Sequence, residues 1–162
     1  NETFENLRYE GFGPKNIAFI IETLTDNKNR TAGKIRTTLQ KFDGNLGSSG
    51  STTHFFDNYG ILQISKENTS DEKALDLAAK LGAIDCYSYK DFHEIITNKE
   101  DFYKLKIETE KLIKKLNYSD IEWRAKTLIS LKTEDQNKIE SILELLEDDE
   151  DVQKVFHNCK FV

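Results

Sequence analysis

The 162-residue chain has no methionine, one proline, one tryptophan and two cysteines. Each scarcity narrows the choices. No stretch approaches the roughly 18 apolar residues of a membrane-crossing helix, and no signal-peptide pattern opens the chain, so no membrane partner is expected and a cytoplasmic location is. Cys86 and Cys159 belong to no CxxC pair, which argues against a disulfide framework or a zinc knuckle and for two ordinary reduced thiols. His54, His93 and His157 are scattered over separate strand-like runs. His157 and Cys159 can share a face of the last strand, but two ligands do not make a metal site. A start at Asn1 without methionine gives the expectation that the chain comes from inside a longer protein.

What is present is charge, unevenly spread. The net charge of -6 opposes polyanion binding by the molecule as a whole. Yet NKNRTAGKIRTTLQK, residues 27–41, holds five bases and no acid, whereas residues 134–151 hold nine acids against Lys138 alone. An anionic partner is therefore expected to meet the first segment and avoid the second.

Hydrophobic periodicity predicts the elements. NIAFIIETLT (16–25) reads as a buried strand, broken at Asp26-Asn27 and followed by a helix over about 30–42 with Ala32, Ile35, Leu39 and Phe42 as its buried stripe. At about 100° per residue, Arg30, Lys34 and Lys41 share the opposite side, with Arg36 on a flank. Strands are expected at 53–57 and 59–65, then a helix over 70–81 capped by Ser70, strands at IDCYSY and FHEIIT, and a helix over 100–116. IEWRAK and LISLK read as strands, Thr133 with Gln136 as a capping box for a last helix, and VQKVFHN as the final strand. Trp123, in an alternating strand, is expected in the core.

This order predicts an α+β fold of two ferredoxin-like βαββαβ sandwiches, the second inserted in the first: residues 1–57 plus 127–162, and residues 58–126. A single larger α+β sheet is the rival arrangement.

The stretch KFDGNLGSSGSTT (41–53) raises the question of a phosphate cradle. A Walker loop lies between a strand and a following helix and ends in GK[ST]. Here the glycines follow a helix, enter a strand-like run, and no lysine follows Gly50, so this is not a nucleotide P-loop. Gly44 is expected in the left-handed position after a helix, with Gly47 and Gly50 in tight turns.

YEGFGP (9–14), LTDNKNRT (24–31), GNLGSSGS (44–51) and LLEDDEDVQKVFHN (145–158) together resemble the YebC family. That family includes bacterial proteins described as transcriptional regulators and the mitochondrial translational activator of cytochrome c oxidase. The resemblance runs over nearly the whole chain, and it implies two α/β domains preceded in the family by a basic helical domain absent here. Asp43 stands where relatives commonly have glycine, and Lys15 and Asn16 replace small residues after the YEGFGP turn.

Function has to be read from sites, because a ferredoxin-like sandwich hosts many activities. There is no helix-turn-helix signature, no paired zinc ligands and no RNP aromatic motif. The expectation is a YebC-like gene-expression regulator, a DNA-binding transcriptional protein by the family's usual description. The alternative is a ribosome-associated translation factor contacting ribosomal RNA. Lys28, Arg30, Lys34, Arg36 and Lys41 are the candidates for phosphate contact, joined by the loop residues Asn45, Gly47, Ser48, Ser49 and Gly50. An ordinary solvated helix face explains the same row of bases. Tyr9 and Phe12 flank a turn, where packing competes with base stacking as their role. The EDDED run is expected as a solvated helix end. No nucleophile beside a base and no convergent carboxylates are recognisable, so no catalytic residue, cofactor, metal or small-molecule substrate is nominated. An enzyme and a protein-binding scaffold are the less favoured alternatives.

Overall fold

The computed structural model describes residues 3–113 and 116–161. The chain divides into two compact units, Asn1–Asp57 with Arg124–Val162, and Asn58–Trp123.

In the first unit, β1 (Glu5–Phe12) and β2 (Ala18–Thr25) form an antiparallel hairpin in register from Glu5↔Thr25 to Phe12↔Ala18. Helix α1 (Lys28–Lys41) follows, then the two-residue β3 (Asn45–Leu46). After the second unit come β8 (Ile129–Ser130), α4 (Thr133–Glu147), β9 (Val152–His157) and β10 (Cys159–Lys160). The sheet order is β3-β1-β2-β9, and β8 pairs separately with β10. Alternation along β2 sends Ile17, Phe19 and Ile21 to one side, where they meet Ile35 and Leu39 of α1 and Ile139, Ile142 and Leu146 of α4. All eight are at most 1% exposed, and each contributes on the order of 1.5–3 kcal/mol by burial.

The second unit runs β4 (Phe56–Ser65), α2 (Asp71–Leu81), β5 (Asp85–Ser88), β6 (Phe92–Asn98), α3 (Phe102–Leu112) and β7 (Tyr118–Ala125), with sheet order β5-β6-β4-β7. Its core joins Leu62, Ile64 and Ile95 of the sheet to Leu77, Leu81, Phe102 and Leu105 of the helices. Ser70 caps α2 by accepting from the Lys73 N–H at 3.2 Å, and Gly82 closes it with φ 71°. Residues 114 and 115 of the helix expected over 100–116 lie outside the described residues; α3 is described as far as Leu112.

The α+β, ferredoxin-like fold class is borne out, but the first sheet is assembled from other strands than expected. Residues 53–55 form a 3₁₀ turn, and 128–132 supply only the two residues of β8. Their places are taken by β3 and β1. Counted from β2, with β1 standing as the third strand, the first sheet has the same second-third-first-fourth order as the second sheet. It is thus a permuted ferredoxin-like sheet whose third strand arrives from the N-terminal side. The pattern hides β1 because Gly11 with the following Gly13 reads as a turn and its second face holds Arg8 and Glu10.

At α4 the expected capping box is absent: Thr133 makes no side-chain cap, and the Gln136 side chain donates to the Leu131 carbonyl at 2.8 Å.

Candidate nucleic-acid interface

Helix α1 begins where Asn27 accepts from the Arg30 N–H at 3.1 Å. Thr31, Ile35 and Leu39 are buried, while Lys28, Arg30, Lys34, Arg36 and Lys41 are all exposed. They do not remain one open row. Arg30 donates through Nη2 and Nε to Asp151, at 2.8 and 3.2 Å, and through Nη2 to Asp26 at 2.8 Å. Lys34 Nζ stands 4.0 Å from Asp149. Among the described residues no carboxylate pairs with Lys28, Arg36 or Lys41. Lys41 lies 5.6 Å from the Phe42 ring centroid.

The acidic run is therefore not simply a solvated helix end. Glu147, Asp148 and Glu150 are exposed, but Asp151 is only 7% exposed and also accepts from the Thr31 hydroxyl at 2.8 Å. With its proton given to Asp151, that hydroxyl accepts from the Thr25 hydroxyl across 2.7 Å. Hydrogen bonding to Arg30 holds the Asp151 carboxyl below its ordinary range against the opposing effect of burial, and the same pairing raises Arg30. Asp151 also sits at the positive end of the α1 dipole. LTDNKNRT and EDDED thus meet at one end of α1, and two of the five candidate bases serve that junction.

The glycine loop holds an anion, but an internal one. Glu10, at 2% exposure, accepts from the Gly50 N–H at 2.6 Å, the Thr52 N–H at 2.9 Å, the Thr53 N–H at 3.0 Å and the Thr52 hydroxyl at 3.0 Å. The Gly47 N–H donates to the Glu10 backbone carbonyl at 2.8 Å. Burial pushes the Glu10 carboxyl up, and the hydrogen bonds from Gly50, Thr52 and Thr53 outweigh it, leaving the group below its ordinary value. The donors that would cradle a phosphate are filled. Asn45, Ser48, Ser49 and Gly50 are exposed or half-buried and Gly47 is half-buried, so only the loop's rim faces outward.

The left-handed residue after α1 is Asp43, with φ 64°, not Gly44. The Gly44 N–H bonds the Leu39 carbonyl at 2.8 Å as in a Schellman closure. Gly44 is required for another reason: a Cβ there would lie 2.1 Å from the Phe12 carbonyl oxygen. In the loop only Gly50 has positive φ, at 86°. Asp43 reaches Lys138 of α4 at 2.8 Å, and this hydrogen bond lowers the carboxyl and raises the ammonium.

Tyr9 packs against the first core and donates its hydroxyl to the Lys28 carbonyl at 3.2 Å, while Phe12 and Trp123 are half-buried. His93 is buried between Ser88 and the Thr69 carbonyl, His54 stacks on Phe55, and His157 lies between Phe19 and Phe161. Among the described residues no three His, Cys, Asp or Glu side chains are grouped to hold a metal ion, and no helix is long and apolar enough to cross a membrane. The Arg30–Asp151 contact and the Glu10 anchor are invisible in the sequence, since their partners lie 121 and about 40 residues away.

Residues 4–159 match the family model described as the TACO1/YebC second and third domain. The chain is 44% identical over 158 residues to a probable transcriptional regulatory protein of Pelagibacter ubique, covering 98% of this chain and 66% of that protein. A protein of the same name from Zymomonas mobilis is 43% identical over 157 residues, covering 97% and 63%. The crystal structure of the conserved hypothetical protein Aq1575 from Aquifex aeolicus superposes with a TM-score of 0.87 at 32% identity, covering 99% of this chain and 66% of that one. The chain spans slightly less than two thirds of the length of these curated relatives. It belongs to the TACO1/YebC family, of which it comprises the second and third domains.

Proposed function

We propose that this chain is a nucleic-acid-binding part of a regulator of gene expression, without catalytic chemistry of its own. The observation that carries the reading is the state of α1: Lys28, Arg36 and Lys41 are exposed and claimed by no carboxylate among the described residues. Such cations contact phosphates, and the outward rim of the loop at Ser48 and Ser49 adds hydroxyl donors. Arg30 acts instead as a structural tether, and Lys34 is partly neutralised.

DNA is the first partner to test, because the relatives are named as transcriptional regulatory proteins. Ribosomal RNA is a second reading: α1 presents cations that hold phosphates without specifying a base, which suits folded RNA as well as duplex. The test is a salt titration of binding to duplex DNA. Reversing Lys28, Arg36 and Lys41 together to glutamate should weaken binding and reduce the slope of log K against log salt by up to about 2.7, at about 0.9 per phosphate contact. An unchanged slope removes these residues from the interface. Sedimentation with ribosomes in excess duplex then separates the readings: association that survives competition favours ribosomal RNA, and loss of it favours DNA.

A further inference from the structure

The outer face of α3, in the other unit, combines exposed apolar side chains with lysines. Phe102, Leu105 and Thr109 turn inward. Tyr103 and Ile107, one turn apart, face solvent at 67% and 56% exposure. Singly exposed apolar side chains are ordinary, but these two are neighbours on one face, and no part of the described unit covers them. At 100° per residue, Lys106 lies about 60° to one side of Tyr103, and Lys111 and Lys104 about 80° and 100° to the other. The aromatic ring and the aliphatic side chain are thus bordered by lysines on both sides. In contrast to Arg30 and Lys34 of α1, Lys104, Lys106 and Lys111 pair with no carboxylate among the described residues. Glu110 is the one acid on the strip.

We infer that this face is a second nucleic-acid surface, on which Tyr103 stacks against an unpaired RNA base while Lys104, Lys106 and Lys111 hold the flanking phosphates. The inference rests on the nucleic-acid reading of the chain. Charge complementarity selects a polyanion, and an exposed ring between cations offers a flat apolar contact to a base that has left its stack. In a DNA duplex the bases stay stacked and present only edges and backbone. Unpaired bases are characteristic of the loops and bulges of folded RNA, which is why RNA is the occupant. Two turns of helix also give too small an apolar strip for the membrane-surface role that a tyrosine-isoleucine-lysine face otherwise suits.

The test is fluorescence anisotropy with a labelled 12-nucleotide oligoadenylate RNA, a single-stranded DNA of the same sequence, a duplex DNA of equal length and anionic phosphatidylserine vesicles. Wild type should prefer the RNA. Tyr103→Ala should weaken RNA binding about tenfold, as alanine substitution of a stacking platform does, while Tyr103→Phe retains it. Lys104→Glu with Lys111→Glu should weaken it in a salt-dependent way, with unchanged melting temperature showing that the fold is intact. Duplex binding through Lys28, Arg36 and Lys41 should be unaffected by all three variants. RNA binding that tolerates Tyr103→Ala, or binding as tight to single-stranded DNA, duplex or vesicles, overturns the inference alone. Failure of wild type to bind any nucleic acid overturns the nucleic-acid reading with it.

Discussion

Glu10 has a carboxylate surrounded by three backbone N–H groups and one hydroxyl, and it is almost without solvent contact. Its folded pKa is depressed, so its contribution to stability is present above the unfolded carboxyl value of about 4.3 and is lost as pH falls through the folded value. Glu10→Gln places an amide N–H₂ among donors, and should destabilise by about 2 kcal/mol at neutral pH. It should also flatten the acid limb of a melting-temperature profile below about pH 4.3, the signature that distinguishes lost charge from lost packing. His157 acts higher on the scale: burial lowers its folded pKa, so stability declines as pH falls below the unfolded value of about 6.5. A second residue-scale prediction concerns the β1–β2 turn, where Lys15 and Asn16 have φ of 56° and 59° and are both exposed. Two successive left-handed residues define a turn that favours Asn-Gly. Lys15→Asn with Asn16→Gly should therefore raise stability by about 1 kcal/mol in chemical denaturation.

At the scale of elements, the end of α1 decides how much of its charge is available. Asp151 is tied to Arg30 and Thr31, and its own depressed pKa makes that tie strongest above the ordinary carboxyl range. Asp151→Asn should lower the melting temperature by several degrees and, by releasing Arg30, strengthen binding to duplex DNA at low salt. A variant that loses stability without gaining affinity would show that Arg30 lies outside the interface. The elements themselves are largely legible in the sequence: the periodicity of Ile35 and Leu39 places α1 within two residues of its observed start, and Ser70 and Gly82 bound α2 as helix-end chemistry predicts. β1 is not legible, because Gly11, the nearby Gly13 and a polar second face disguise a strand held by pairing with β2 and β3. The site follows the same division. Outward-facing bases can be counted on a helix, but which of them are neutralised depends on carboxylates more than a hundred residues away. The open lysines of α3 do not stand out in the sequence because Glu108 and Glu110 interrupt them there, and the helix turns only Glu108 away from the Tyr103–Ile107 strip.

Across the whole molecule, the chain leaves the first unit near Asp57 and re-enters it near Arg124. The Lys126 N–H donates to the Phe55 carbonyl at 2.9 Å, so the outgoing and returning segments run side by side within that unit. The permuted first sheet draws all its strands, β3, β1, β2 and β9, from outside residues 58–123, and its core residues come from the same part of the chain. Closing the gap needs only a short loop, whose entropy cost grows slowly with length. We therefore predict that replacing residues 58–123 with a Gly-Ser linker of about five residues gives a chain that still folds cooperatively. Protected amides should persist in β1, β2 and β9 by hydrogen exchange, and duplex binding through Lys28, Arg36 and Lys41 should remain. RNA binding that depends on Tyr103 should vanish with the removed unit. A shortened chain with the helical circular-dichroism signal but no exchange protection would show that the first sheet needs the inserted unit to pack. Cooperative folding with both binding activities intact would place the RNA contact on the first unit instead.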